Sequence, residues 1–193
     1  MLQEKLKGHT LILGSASPRR KHFLNELGLE FEVRLKSVEE NYPKDLKRAE
    51  ISDYLALLKA KPFLDELQPK EILITADTIV WFEDQALGKP NSEKQAFEML
   101  RTLSSHEHEV FSSVAISSMA KQVLVNESTK VQFSHLTDEE INYYISKFKP
   151  FDKAGSYGIQ EWIGLIGVEK IEGSFFNVMG FPIHLFYKEI LRF

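Results

Sequence analysis

A short stretch near the N-terminus combines hydroxyl and guanidinium groups in a way that suits phosphate binding. Ser15, Arg19 and Arg20 follow the apolar run Thr10-Leu11-Ile12-Leu13. Ser17 before Pro18 is typical of a helix start, whose free N–H groups and positive dipole end attract anions. Arginine and serine side chains add donors for phosphate oxygens. The alternative is a capped helix whose first turn carries two solvated arginines, because neither a Walker loop nor a GxGxxG motif is present.

Carboxylates at two places could bind a metal ion or activate water. Asp77 follows the apolar strand residues Ile72-Leu73-Ile74, and ligands of open α/β sheets gather beyond the carboxyl ends of strands. A carboxylate there can bind a divalent cation or act as a general base. Glu39-Glu40, in a polar loop, could complete a magnesium site with Asp77. A turn aspartate and a solvated acidic loop are the alternatives, because both are common in proteins.

Two lysines and two histidines add further candidates. Lys59 follows an apolar helical face, and Lys89 lies in a Gly-Lys-Pro loop from which a lysine can reach a phosphate. His106 and His108 have the spacing of residues that share one face of a strand, which is also that of a metal pair. Since no third ligand is evident nearby, the sequence favours surface polar residues at both positions.

The segment 152–160, DKAGSYGIQ, is rich in small residues. Its two glycines allow the backbone to approach another group closely. Gln160 carries both a donor and an acceptor, which suits recognition of the edge of a nucleotide base. The same residues also fit a tight connection between a helix and a strand, and the residue types alone do not decide.

The elements that would carry these residues alternate between strand and helix. Short apolar runs and capped helical patterns follow each other without repeats or a Pro/Ser-rich linker, which predicts an α/β fold with a mixed sheet. The predicted strands are 10–13, 31–35, 71–81, 110–117, 122–133 and 165–171. The predicted helices are 18–28, 49–67 with a kink or break at Pro62, 92–103, 137–148 and 181–191.

Length, charge and composition limit the class of protein. The chain has 193 residues, and we expect a single domain over residues 1–193. Its formal net charge of −4 argues against a nucleic-acid polymer as partner, because polymer phosphates require a basic surplus. The lack of cysteine excludes disulfides, thiol nucleophiles and cysteine-based metal sites. No apolar run reaches the ~18 residues that span a bilayer and no secretion signal is evident, so we expect a cytoplasmic protein without membrane association.

Taken together, these segments resemble the Maf family of nucleoside triphosphate pyrophosphatases. The matching blocks occur in the family's order and span nearly the whole chain. They are SASPRR at 15–20, Glu40, Lys59-Ala60, ADTIV at 76–80, Gly88-Lys89-Pro90, the stretch 99–110, the segment 152–160 and Gly180-Phe181-Pro182. Ser105 and Ser156 depart from the pattern, since the family usually has glycine and alanine there.

The resemblance implies a fold similar to that of the inosine triphosphate pyrophosphatases. This is an α/β fold with an elongated mixed β-sheet, flanking helices and two lobes around a cleft. The resemblance also implies cleavage of the α–β phosphoanhydride bond of a nucleoside triphosphate, which gives the monophosphate and pyrophosphate. It further implies a cytoplasmic enzyme that requires a divalent metal cation, Mg2+ or Mn2+, and that is often a homodimer.

The resemblance also implies roles for individual residues. Asp77 would be the general base, close to a metal ion held by Glu40 and Asp77. The phosphates would be bound by Ser15, Arg20, Lys59 and Lys89. Substrate choice would depend on Arg19, Thr78 and Gln160, whose identities match the branch that acts on dTTP and UTP rather than the branch that acts on 7-methyl-GTP.

Two other functions stay open at this point. The first is a nucleotide-binding regulator, for instance of cell division, without physiologically important turnover. Its sequence signature would be the loss of Asp77, Glu40 or the lysines, and all of them are present. The second is the same enzyme acting on purine or non-standard nucleotides, against which the identities at the three specificity positions argue.

Overall fold

Seven strands form one mixed sheet in the computed structural model, which describes residues 2–193. The long strands are rich in β-branched and aromatic residues, which pack well on a pleated surface. The strands are β1 (Thr10–Leu13), β2 (Phe31–Val33), β3 (Glu71–Phe82), β4 (Gln85–Leu87), β5 (Glu107–Ser117), β6 (Gln122–Phe133) and β7 (Val168–Glu172). Their order in the sheet is β2-β1-β3-β5-β6-β7, and β4 pairs with β3.

Helices connect the strands, and their ends follow local sequence signals. Ser17 caps the second helix by accepting a hydrogen bond from the N–H of Arg20, with Pro18 in the first turn, as predicted. Thr137 and Glu140 form a capping box at the start of the fifth helix. The α-helices are α1 (Leu2–Lys5), α2 (Pro18–Glu26), α3 (Ala49–Leu64), α4 (Glu93–Leu103), α5 (Asp138–Phe148), α6 (Trp162–Gly167), α7 (Phe175–Val178) and α8 (Ile183–Ile190).

The chain divides into two compact units, of which the first comprises the residues up to Asp77, Ser112–Glu127 and Gly180–Phe193. In this unit β1 lies between β2 and β3, and both pairings are parallel. Parallel strands are usually covered on both faces, which explains the continuous apolar run of β1. Helix α3 packs on β1 and β3 through a buried cluster made of Ile12, Ala60, Phe63, Leu67 and Leu73.

The second unit comprises Thr78–Phe111 and Ser128–Met179. Here β4 pairs antiparallel with the end of β3, and β7 pairs antiparallel with β6. The apolar faces of α4 and α5 pack into its core, where Tyr144 is fully buried. Tyr157 and Ile159 belong to the same core, so their buried side chains anchor the segment 152–160 in this unit.

The predicted α/β class with a mixed sheet and flanking helices is confirmed, but one strand boundary is wrong. The sequence predicts a strand over 165–171, whereas α6 occupies Trp162–Gly167 and β7 begins at Val168. Gly164 explains the helix, because a Cβ atom there would lie 1.8 Å from the carbonyl oxygen of Ile159. Only glycine lets the chain fold this closely onto the preceding turn.

Smaller differences concern the ends of other elements. Helix α3 continues through Pro62 without a break and ends at Leu64, and β3 runs without interruption through Asp77. The sequence did not predict α1 or β4. None of the helices in residues 2–193 is long and apolar enough to cross a membrane. The single domain, the elongated shape and the cleft between two lobes stay predictions.

Candidate active site

The turn between β1 and α2 holds Ser15 in a defined position. Gly14 allows the turn to lie against β3, because a Cβ atom at this position would come within 2.8 Å of Thr75 Cγ2. The N–H of Gly14 donates to the carbonyl oxygen of Ile74 at 2.8 Å. The Ser15 hydroxyl oxygen then accepts a 3.3 Å hydrogen bond from the N–H of Ser17 at the start of α2. Its hydroxyl group therefore lies at the N-terminal end of the helix, as predicted.

Arg20 is anchored by main-chain oxygens that are distant in sequence. Its Nη1 donates to the oxygen of Ala76 at 2.8 Å and to Ser15 Oγ at 3.3 Å, and its Nε donates to the oxygen of Gly180 at 3.1 Å. A planar guanidinium suits such a set, because its donors point in fixed directions. The sequence left the Gly-Phe-Pro block near the C-terminus without a role, and the structure shows that its first main-chain oxygen anchors Arg20.

Charges of both signs surround the Arg20 guanidinium. Burial lowers the pKa of Arg20, the Asp77 carboxylate raises it, Arg19 lowers it and the Glu40 carboxylate raises it. Arg19 lies in the first turn of α2 and is partly buried. The first unit thus collects two guanidiniums and two carboxylates that act on one another electrostatically.

Lys59 joins two carboxylates that are far apart in sequence. Its Nζ contacts Asp77 Oδ1 and lies 3.1 Å from Glu40 Oε1. Asp77 is buried, with 6% of its surface exposed, whereas 42% of the Glu40 side chain is exposed. The arrangement brings three of the predicted site residues together inside the first unit.

Small residues of α3 make this approach possible. Ala56 and Ala60 are fully buried, and the carbonyl oxygen of Ala56 accepts a 2.8 Å hydrogen bond from Thr75 Oγ1 of β3. The helix therefore lies close enough to the strand for Lys59 to reach Asp77. Asp77 itself lies within β3, as the predicted strand 71–81 implies, and not beyond the carboxyl end of the strand. The strand continues because the residues after Thr78 are again apolar and buried.

The donor set of Asp77 and Glu40 fits a divalent cation of the magnesium type. Both carboxylates already meet at one cationic group, the Lys59 ammonium, so they lie within reach of a common cation. Magnesium is usually held by one or two carboxylates together with waters and substrate phosphates. Within residues 2–193 no group of three or more His, Asp and Glu side chains is arranged to hold a metal ion, so a cage made only of protein ligands is not part of the described chain.

Three predicted residues lie in the second unit. Thr78 is partly buried in β3, whereas Lys89 and Gln160 are exposed. The loop of Lys89 contacts the segment 152–160, because the carbonyl oxygen of Gly88 accepts a 3.1 Å hydrogen bond from the N–H of Gly155. This contact links the Gly-Lys-Pro loop to the glycine-rich segment within the second unit.

The histidine pair separates into one surface residue and one buried residue. His106 is exposed, as predicted, but His108 is buried with 2% of its surface exposed, so the surface prediction is wrong there. His108 Nε2 shares a 2.7 Å hydrogen bond with the Tyr157 hydroxyl group. Burial lowers the pKa of His108 to about 3, so the imidazole is neutral at pH 7. Because one imidazole is exposed and the other is buried against Tyr157, the two histidines do not face a common site.

The sequence interpretation missed a buried polar network around Tyr144 of α5. Tyr144 Oη contacts Glu161 Oε2, and Lys153 Nζ lies 3.1 Å from Glu161 Oε1. Lys153 belongs to the segment 152–160 that the sequence singled out, and this lysine was the one feature of the sequence that could have indicated the network. Tyr144 lies on the apolar face of its helix, and this position predicts core packing but not a polar role.

Comparisons with known proteins agree along the whole chain. The family model described as Maf-like protein matches residues 10–193. A dTTP/UTP pyrophosphatase of Christiangramia forsetii is 51% identical over 190 residues, which cover 98% of this chain and 97% of that protein. A dTTP/UTP pyrophosphatase of Flavobacterium johnsoniae is 52% identical over 188 residues, 97% of both chains. The solved structure of the Staphylococcus aureus Ham1 protein shares the fold with a TM-score of 0.52 at 12% identity, over 93% of this chain and 99% of that chain. The protein therefore belongs to the Maf-like family.

Proposed function

We propose that this protein hydrolyses dTTP and UTP to the monophosphate and pyrophosphate, with a divalent metal ion as cofactor. Relatives that are 51% and 52% identical over nearly their full length bear the name dTTP/UTP pyrophosphatase, which supports the substrate class. The observation that carries the chemistry is the contact of Lys59 with both Asp77 and Glu40. This contact brings the buried Asp77 carboxylate and the Glu40 carboxylate to the same ammonium group.

In this proposal Asp77 is the general base. Its carboxylate accepts a proton from a water molecule, whose oxygen forms a bond to a phosphorus atom of the α–β anhydride. The bond between that phosphorus and the bridging oxygen breaks, and the electron pair stays on the bridging oxygen. The products are the nucleoside monophosphate and pyrophosphate, so all atoms of one water molecule are accounted for.

Four side chains would bind the phosphates. Ser15 and Arg20 supply donors at the start of α2, and Lys59 and Lys89 supply point charges. Donors that are fixed before the substrate binds stabilise developing charge more than mobile ones, and loss of one such donor costs about 2.7–4 kcal/mol in an oxyanion hole. The hydrogen bonds of Arg20 to Ala76, Gly180 and Ser15 support this role, because they hold the guanidinium in one orientation.

Glu40 and Asp77 would hold the metal ion, Mg2+ or Mn2+. When bound, such an ion neutralises charge on the phosphoryl oxygens and orients water. The Lys59 ammonium, which bridges both carboxylates, would then bind phosphate oxygens as the carboxylates turn toward the cation.

Arg19, Thr78 and Gln160 would select the base. The Gln160 side chain carries a donor and an acceptor, which pair with a carbonyl oxygen and the neighbouring N3–H of uracil or thymine. Cytosine presents a donor and an acceptor in the opposite order. Leaving such groups unpaired costs about 1–3 kcal/mol, which corresponds to a preference of about ten- to a hundredfold.

A nucleotide panel tests this proposal. Purified protein with Mg2+ or Mn2+ should release pyrophosphate from dTTP and UTP, and Asp77→Asn should abolish the release while the protein stays folded. Asp65→Asn, which changes an aspartate at the end of α3, is the matched control and should retain activity. Orthophosphate as the sole product would contradict the proposal. Binding of UTP without any release would favour the nucleotide-binding regulator.

We also propose that residues 1–193 form one domain, that two copies form a homodimer and that the protein acts in the cytoplasm. A single cooperative unfolding transition would support one domain. Sedimentation equilibrium at micromolar concentration would give the mass of a dimer, and the mass of a monomer would contradict this part of the proposal.

A further inference from the structure

Gln160 lies in a tight turn whose two ends are fixed. The N–H of Glu161 donates to the carbonyl oxygen of Gly158 at 2.9 Å, which closes a β-turn over Gly158–Glu161. Ile159, the first central residue of the turn, is buried in the core of the second unit. Gln160 is the second central residue and is exposed. The backbone of the turn is thus anchored in the core while the Gln160 side chain points away from it.

One hydroxyl group ties both ends of this turn to α5. Tyr144 Oη donates to Glu161 Oε2 and accepts a 3.0 Å hydrogen bond from the N–H of Gly158. Burial raises the pKa of Tyr144, and the hydrogen bond to Glu161 raises it further, so the hydroxyl group stays protonated and keeps its donor. A phenylalanine would fill the same space but hold neither end.

A buried lysine fixes the other side of the Glu161 carboxylate. Lys153 Nζ lies 3.1 Å from Glu161 Oε1 and 2.7 Å from Asp152 Oδ1, with 9% of the lysine side chain exposed. Pairing a buried lysine with a glutamate that is 21% exposed contributes little net stability, because desolvation offsets most of their attraction. The pair does restrict the carboxylate to one orientation, since each oxygen has its own donor.

The Gln160 amide nitrogen and the Glu161 carboxylate border the same space, which lies over Gly158. A Cβ atom at Gly158 would lie 2.8 Å from Glu161 Cδ and 3.0 Å from Gln160 Nε2. Both side chains therefore share the space that a side chain at residue 158 would fill. A carboxylate only accepts hydrogen bonds, so it favours the amide orientation that turns the NH2 group of Gln160, and not its carbonyl oxygen, toward this space.

We propose that Tyr144, Glu161 and Lys153 are positioning residues that set the orientation of the Gln160 amide and thereby the choice between uracil and cytosine. This inference rests on the proposed function, in which Gln160 reads the edge of the base. An amide that flips exchanges its donor and acceptor, and the flipped pattern matches cytosine instead of uracil. The network acts by holding one of these two orientations.

Tyr144→Phe tests the proposal, with Tyr143→Phe on the same helix as the matched control. Tyr143 is 48% exposed, and its ring makes an edge-to-face contact with Trp162. We expect the ratio of kcat/KM for UTP to that for CTP to fall by about three- to tenfold in Tyr144→Phe, the effect of one or two lost hydrogen bonds. The kcat for UTP should change by less than about threefold, and the ratio should stay unchanged in Tyr143→Phe.

A second variant guards against loss of folding. Glu161→Gln keeps the size of the side chain but lets its own amide compete with that of Gln160, and we expect the same fall of the ratio. An unchanged ratio in a folded Tyr144→Phe protein would overturn the inference, as would an equal loss with every nucleotide. Failure of both variants to fold would assign the network to stability alone and would also overturn it.

Failure of the inference can be told apart from failure of the proposed function. If wild-type protein releases no pyrophosphate but binds UTP, the proposed function is wrong, and the ratio of Kd for CTP to Kd for UTP, measured by calorimetry, decides the inference. A lower ratio in Tyr144→Phe would support the positioning role, and an equal ratio would overturn it. If wild-type protein binds neither nucleotide, both the proposed function and the inference are overturned.

Discussion

Arg20 of α2 donates a 2.8 Å hydrogen bond to the main-chain oxygen of Ala76, the residue directly before Asp77. The start of the helix is thereby tied to the strand that carries the proposed general base. Hydrogen bonds from a charged donor are stronger than neutral ones, so this contact fixes the distance between the guanidinium and the carboxylate well.

We predict that Arg20→Lys lowers kcat/KM for UTP by about ten- to a hundredfold, because misplacing a positioned group costs about that much. A lysine has one ammonium group and cannot meet the oxygens of Ala76 and Gly180 and the Ser15 hydroxyl with the same planar set of donors. Steady-state kinetics with the purified variant measure the effect. Arg192→Lys, at an arginine side chain that is 74% exposed, is the control and should retain activity. Full activity of Arg20→Lys would mean that any cation suffices at this position.

We predict that Lys59 and Asp77 are energetically coupled in the folded protein. Removing either partner leaves the other charge in a mostly buried position, so Lys59→Met and Asp77→Asn should each destabilise the fold. The double variant should lose less than the sum, with a coupling energy of about 1 kcal/mol or more in a urea-unfolding cycle. Lys61→Met, an exposed lysine on the same helix, should be additive with Asp77→Asn. If the effects of Lys59→Met and Asp77→Asn on the free energy of unfolding also simply add, the contact contributes nothing to stability.

The sequence predicted the elements of the first unit better than the contacts between them. Apolar runs and a helix cap are local signals, which is why β1 and the Ser17 cap agree with the structure. The meeting of Lys59, Glu40 and Asp77 depends on how α3 packs on β3, and no local pattern encodes that distance. The anchoring of Arg20 was equally hidden, because main-chain oxygens leave no signature in residue types.

Burial was hardest to predict in strands that are covered on both faces. Strand β5 is buried over almost its whole length, so it shows no alternation from which the environment of His108 could be read. Gln160 illustrates the opposite case, because its motif was evident but its support was not. The hydroxyl group that holds its turn comes from Tyr144, which lies 14 residues away from Gly158.

We predict that Ser105→Gly stabilises the protein by about 0.5–1 kcal/mol. Ser105 has a φ angle of 64°, a left-handed conformation that glycine adopts without steric cost. The substitution keeps the 3.0 Å hydrogen bond from the N–H of residue 105 to the carbonyl oxygen of Ser134. Urea unfolding measures the change. Ser37→Gly, at an exposed serine in a loop, should destabilise slightly, and an equal effect at both positions would contradict the role of the backbone conformation.

We predict that His108 makes the stability of the protein depend on pH below 6.5. Burial lowers the pKa of the folded state to about 3, whereas the unfolded chain has a pKa of about 6.5. Between these values the unfolded chain binds one proton more than the folded protein. The contribution of His108 to the free energy of unfolding is therefore fully present above pH 6.5 and decreases as the pH falls toward 3. The slope of this contribution is about 1.4 kcal/mol per pH unit.

Substitution of His108 isolates this contribution. His108→Gln keeps a hydrogen-bonding partner for the Tyr157 hydroxyl group but has no proton to bind, so the variant should lose stability less steeply than wild type between pH 6 and pH 4. Urea unfolding at three pH values gives both slopes, and all other titrating groups cancel in the difference. His106→Gln removes an exposed imidazole two residues away and should keep the wild-type slope. Parallel curves for His108→Gln and wild type would mean that the buried imidazole already takes up its proton in the folded state, so that its burial does not oppose charging.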